Sequence, residues 1–126
     1  MTATRTAREV VELYNFVVWN ERDYALAEEL IGETVTRHGV DHVTVLTHEQ
    51  AVQRVRDTCA GVDRIHFTLP LMLAAEDGEH VTITYECSMT AKDGTETTIG
   101  SMEIFRVVDG RITEVYNCGG GSGKWQ

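Results

Sequence analysis

Positive charge is scarce in this chain. Its 11 lysines and arginines are outnumbered by 20 aspartates and glutamates, leaving a formal net charge of −9, and a surface of that sign repels phosphate backbones. Nucleic acid is therefore not an expected partner. Long apolar runs are also missing: none approaches the roughly 20 residues that a membrane span requires. The opening MTATRTAREVV carries no apolar core followed by a small-residue cleavage site. The expectation is a cytoplasmic protein with no membrane partner. Cysteine stops at three, Cys59, Cys87 and Cys118, an odd number without a CxxC pair. That argues against a zinc or redox motif and for free thiols behaving as small hydrophobes. No glycine-rich phosphate loop opens a helix; GGGSG at 119–123 resembles one in composition only and reads as a flexible tail.

What is present suits one compact core. With 42% hydrophobic and 25% charged residues, the chain is expected to form a single domain over residues 1–118, followed by a flexible Gly-rich segment at 119–126. Thr6 and Glu9 form a capping box, after which Val10, Val11, Tyr14, Val17 and Val18 recur at helical spacing to about Asn20. Asp23 caps a second helix, YALAEELI, which Gly32 stops. A β-prone piece, ETVTRHGV, precedes a second capping box, Thr47 and Gln50, and a third helix to about Ala60. From Arg64 the period becomes two, in runs separated by Asp-Gly pairs at 77, 93 and 109, so the last four strands are expected to form an antiparallel meander. The lone proline, Pro70, marks a bulge or an edge in the first of them.

One residue in the penultimate run stands out. In GSMEIFRVVDGRITEVYN a carboxylate, Glu103, shares a strand face with Ile99, Ser101, Phe105 and Val107. Facing inward, it needs a partner or a proton, because burial disfavours the charged form; facing outward, it is simply solvated. Met102, Ile104 and Val108 make the opposite face apolar as well, which suits a sheet covered by helices on one side and by a second subunit on the other.

The order of helices and meander, with the ending SMEIFRVVDGRITEVYN, resembles the SnoaL-like branch of the nuclear transport factor 2 (NTF2-like) superfamily, which includes ketosteroid isomerases and polyketide cyclases. The most specific part is the IFR…DGRI hairpin after a strand with an acidic residue two places before Phe105. The resemblance implies an α+β cone: three N-terminal helices packed on a strongly curved, mainly antiparallel sheet that encloses a deep apolar pocket. It also implies a homodimer through the convex face and no cofactor. Setting Phe105 against the isomerases' phenylalanine puts Glu103 on their protonated oxyanion-hole aspartic acid, a carboxyl kept neutral so that it donates a hydrogen bond. Their general base falls on His38 with one residue deleted. Their oxyanion tyrosine falls on Tyr14 with one helix residue inserted, or on Asn15 without; the apolar stripe favours Tyr14.

The resemblance further implies a pocket for a small apolar molecule lined or backed by Asn15, Val18, Phe67, Ser101, Phe105 and Val115. Which last-strand residues join it depends on the Asp109–Gly110 turn, since one residue more or less flips the strand. A three-residue loop brings Val115 and Asn117 beside Glu103 and Ser101, whereas a two-residue loop brings Glu114 and Tyr116. The family alignment favours the first. No metal is expected: His38, His42 and His48 lack any spacing that converges geometrically, and His66 and His80 read as polar-face strand residues.

Two function classes follow. One is a cofactor-free acid–base enzyme on a carbonyl-bearing or polycyclic substrate, with His38 moving a proton while Glu103 and Tyr14 or Asn117 donate to an oxyanion. The other is a non-catalytic small-molecule-binding or dimerisation module on the same fold. A cavity shared by His38 and Glu103 is expected of the enzyme, and their divergence of the module.

Overall fold

In the computed structural model, which describes residues 4–126, helix α1 covers Ala7–Leu13. It starts where expected: the Thr6 hydroxyl accepts from the Glu9 N–H, and the Glu9 carboxylate accepts from the Thr6 N–H at 3.0 Å. Beyond Leu13 the helix continues as a π-helix, Tyr14–Trp19, whose wider turns take up an additional residue. Tyr14, Asn15, Val18 and Trp19 are consequently all buried. Helix α2, Tyr24–Leu30, opens on the Asp23 carboxylate, which accepts from the Leu26 N–H. Helix α3, His48–Ala60, opens on the Thr47–Gln50 capping box and buries Ala51, Val52, Val55 and Cys59.

The strands are β1 (Ile31–Gly39), β2 (His42–Thr47), β3 (Val62–Ala74), β4 (His80–Ala91), β5 (Glu96–Val108), β6 (Arg111–Asn117) and the two-residue β7 (Gly121–Ser122). They form one sheet in the order β2–β1–β6–β5–β4–β3, with β7 on β5; only β1 and β6 run parallel. This is an α+β cone, with N-terminal helices packed on a curved mixed sheet. Phe105, Ile83, Ile112, Leu30, Val10 and Val11 lie fully buried between the layers, each contributing about 1.5–3 kcal/mol by leaving water. Pro70 sits on the edge strand β3, where the register slips between Thr68 and Leu71. Strand β2 escapes the periodicity because all its residues except Leu46 are exposed, so no buried face imposes an alternation.

Two details differ from expectation. The Asp109–Gly110 loop has two residues, both left-handed (φ 51° and 75°), with Val108 paired to Arg111; this is the I′ arrangement. The register nevertheless reaches Asn117 opposite Glu103, because β6 bulges at Thr113, between the Val107–Ile112 and Arg106–Glu114 pairs. The C-terminal segment, expected to be flexible, continues along the β5 edge as β7. It then crosses the outer face of the sheet, where the Trp125 indole N–H donates to the carbonyls of Tyr85 and Ser101.

Candidate active site

The inward face of β5 carries Ser101, Phe105 and Val107 in buried positions, with Glu103 between them. Asn117 of β6 stands directly opposite Glu103, and Ile83 of β4 flanks it on the other side. From β1 the Arg37 guanidinium approaches to 3.7 Å of Glu103 Oε2, an ion contact longer than a hydrogen bond. Only 12% of the Glu103 side chain is exposed. Burial pushes its carboxyl pKa up, against the attraction of Arg37, a hydrogen bond from Asn117 and the charge of Arg54. Arg37 moves oppositely: burial, then repulsion by Arg54, lowers its pKa despite Glu103. For both partners the loss of water outweighs the pairing.

These groups project into a cavity of about 220 Å³ between sheet and helices. Its apolar wall is Trp19, Ile65, Phe67 and Met89, and its polar patch is Tyr14, Tyr85, Asn117, Glu103 and Arg37, with Arg54 of α3 at the rim. The aromatic wall is continuous: Trp19 lies 5.4 Å from Phe67, and Phe67 5.5 Å from Tyr85, centroid to centroid. Asn117 Nδ2 donates to the Tyr85 hydroxyl oxygen at 3.2 Å, which leaves the tyrosine's own proton for another acceptor. Burial raises the pKa of both Tyr14 and Tyr85, so each remains a donor at neutral pH.

The structure thus brings Tyr14, Phe67, Glu103 and Asn117 together around one space. Phe105 backs it, edge-on to Tyr14 at 5.9 Å, and Val115 is buried beside Arg37 in the neighbouring β-register. Val18 is fully buried in the core, the Asn15 amide donates to the Val11 carbonyl, and the Ser101 hydroxyl donates to the Cys118 carbonyl. His38 does not line this cavity; it meets the strand positions of Glu103 and Asn117 at a separate concavity on the outer face. Val35 and Arg37 take the inward positions of β1, so His38 lies on the outer face. There it stacks on Tyr116 at 4.2 Å, with Nε2 at 3.3 Å from Glu114 Oε2 but without hydrogen-bond geometry. The one-residue deletion that aligned His38 with a general base crosses to the other side of the strand. His48, by contrast, has its Nδ1 within 3.0 Å of the Ile31 carbonyl.

A family model described as the SnoaL-like domain matches residues 10–115. The chain belongs to the SnoaL-like domain family. Its fold is similar to that of solved NTF2-like and ketosteroid isomerase-like proteins. It is similar to the epoxide hydrolase/cyclase-like enzyme SalBIII of pyran ring formation in salinomycin, at 20% identity over 94% of this chain and 95% of that one, TM-score 0.78. It is also similar to an M. tuberculosis LEH-like epoxide hydrolase (16% identity, 92% and 84% covered, TM-score 0.76). A third is a Catenulispora acidiphila protein with a ketosteroid isomerase-like fold, in complex with trimethylamine (21% identity, 89% and 85% covered, TM-score 0.73). Among curated proteins, no sequence relative matches.

In this SnoaL-like domain the residues that sequence reasoning missed are Arg37, Arg54 and Tyr85. Arg37 was legible: alternation in ETVTRHGV sets it on the face of Val35. Tyr85 alternates with Ile83 and Cys87 and reads as core, since nothing local says that its hydroxyl meets an amide 32 residues away. Arg54 lies on a helix whose tilt over the sheet no period reveals.

Proposed function

We propose that the cavity is the active site of a cofactor-free enzyme that moves a proton on a small carbonyl-bearing molecule, with Glu103 as the acid–base group. The observation that carries this is a single buried carboxyl among hydrogen-bond donors, facing an apolar aromatic wall. With His38 outside, the base role passes to Glu103. As carboxylate it takes a proton from the carbon beside a carbonyl; the C–H pair becomes a carbon–carbon double bond and the carbonyl π pair moves onto oxygen. Tyr85 and Tyr14 stabilise that oxyanion, while Asn117 holds the Tyr85 hydroxyl in place. The same carboxyl then returns the proton, to another carbon in an isomerisation or to the new alkoxide when the enolate closes on a second carbonyl. One carboxyl suffices for either outcome, whereas epoxide opening uses an acid and a base together.

The test is exchange of α-hydrogens for deuterium in a cyclic ketone such as 2-cyclohexenone, followed by NMR in D₂O. Exchange proportional to protein concentration, and reduced by on the order of 10²–10⁴-fold in Glu103→Gln, is expected. Parent and variant exchanging alike removes the proposal. The divergence of His38 and Glu103 favours the second reading, a binding module, and that reading takes over if the ketone binds without exchange. The expected homodimer is also proposed, through the outer face that exposes Met102, Ile104 and Tyr116.

A further inference from the structure

The cavity holds more positive charge than its one acid neutralises. Arg37 and Arg54 both line it, and among the described residues Glu103 is the only carboxylate that does. In a chain of net charge −9, two guanidiniums lining one cavity are a departure from the surrounding field. Among the described residues only Arg37 has a protein partner, and that contact is a loose one. The guanidinium of Arg54 has no hydrogen-bond or ion partner among them, and that of Arg37 has one contact, the 3.7 Å approach to Glu103. Several arginines elsewhere are tied: Arg106 donates to Glu79 at 2.8 Å, Arg111 to the Ile31 carbonyl at 3.1 Å and Arg22 to the Asp63 carbonyl at 3.0 Å. A guanidinium presents its donors in a planar fork that matches a carboxylate. Holding Arg37 in a half-buried site beside a second cation costs free energy that the single distant contact with Glu103 does not offset.

We infer that the cavity selects a small organic carboxylate, its acid group held between Arg37 and Arg54 and its apolar body laid against Trp19, Ile65, Phe67 and Met89. This rests on the reading of the cavity as the substrate site and narrows the substrate class from carbonyl compounds in general to those bearing an anionic group. The position of Arg54 at the rim orients the molecule: the acid end faces the opening and the reacting carbon reaches inward to Glu103. Anion and apolar body are read by separate walls, so removing either half weakens binding on its own.

Calorimetric titration of the full chain with 2-naphthoate and with its neutral isostere 2-naphthamide tests this. Naphthoate is expected to bind tighter by about ten-fold or more, and added salt is expected to narrow the gap. Arg54→Gln, a change at an exposed position that leaves the packing alone, should cut the preference several-fold. The double variant Arg37→Gln/Glu103→Gln, which leaves no buried charge unpaired, should bring the two probes close to equality. Equal affinities in the parent, no heat from either probe at millimolar concentration, or an unchanged preference in both variants overturns the inference. Because the exchange assay uses a ketone without a charge, exchange of that ketone alongside equal naphthoate and naphthamide binding rejects the carboxylate handle and leaves the catalytic reading standing.

Discussion

Glu103 is held where its charged form is disfavoured, and that has a measurable cost in stability. Its carboxyl binds a proton more tightly in the folded chain than in the unfolded one. Between the unfolded pKa and the raised folded value, folding therefore takes up protons, and its stability falls as pH rises through that window. Glu103→Gln removes the titration. Its melting temperature should match the parent's at acid pH and exceed it progressively as pH passes above the ordinary carboxylate range; parallel melting curves for the two proteins across that range contradict the assignment. Tyr85→Phe probes the other side of the chemistry. Losing that hydroxyl leaves Asn117 without its acceptor and should slow exchange on the order of 10²-fold with little change in ketone affinity. The inward carboxylate was legible because strand alternation is local and Phe105 anchors it. His38 was misplaced because a gap of one residue, harmless on a helix, exchanges the two sides of a strand.

At the scale of elements, two irregularities set the site. The resemblance matched Tyr14 only by inserting a residue in the first helix, and the π-helix at Tyr14–Trp19 is where such a residue is accommodated. It lets Tyr14 and Trp19 both face inward, 6.1 Å apart and edge-on. The bulge at Thr113 does the same for β6: without it the two-residue turn would send Glu114 and Tyr116 inward, as the short-loop alternative expects. Hydrophobic periodicity shows that these elements exist but is blind to single-residue slips, since those are decided by contacts across the sheet. The turn itself is testable. Gly110 has φ +75°, and a Cβ there would lie 3.0 Å from Thr4 Cγ2, so Gly110→Ala should cost about 1–2 kcal/mol in a denaturation midpoint analysis. At the β3–β4 connection, Asp77 accepts from the backbone N–H groups of Glu79 and His80 and meets His80 Nδ1 at 2.6 Å, which lowers its pKa to about 2. Its contribution is complete above its unfolded pKa and lost as pH falls toward 2. Asp77→Ala should therefore lower the melting temperature at neutral pH and by much less near pH 2.

The whole molecule presents two faces of different character. Inside, the helices close over the cavity; outside, Met102, Ile104 and Tyr116 remain 43%, 38% and 42% exposed around a concavity of about 250 Å³ that His38 and Val40 also line. A second copy seated there would remove that apolar surface from water. Light scattering at micromolar concentration should report twice the 14.1 kDa chain mass, and Ile104→Lys should return the monomer with its fold intact by circular dichroism. A monomeric parent at that concentration removes the dimer and leaves the cavity as described.

The chain's two tryptophans sit on opposite sides of one piece of sheet. Trp19 is 5% exposed against the cavity's aromatic wall, while Trp125 is 42% exposed and hangs from the carbonyls of Tyr85 and Ser101 on the outer surface. Their fluorescence is accordingly separable by colour: a short-wavelength emitter in an apolar pocket and a long-wavelength emitter in contact with water. A molecule entering the cavity quenches or shifts the blue component, and a partner covering the outer surface shifts the red one. With Trp19→Phe and Trp125→Phe as single-emitter controls, one spectrum reads occupancy and association at the same time, without an added dye.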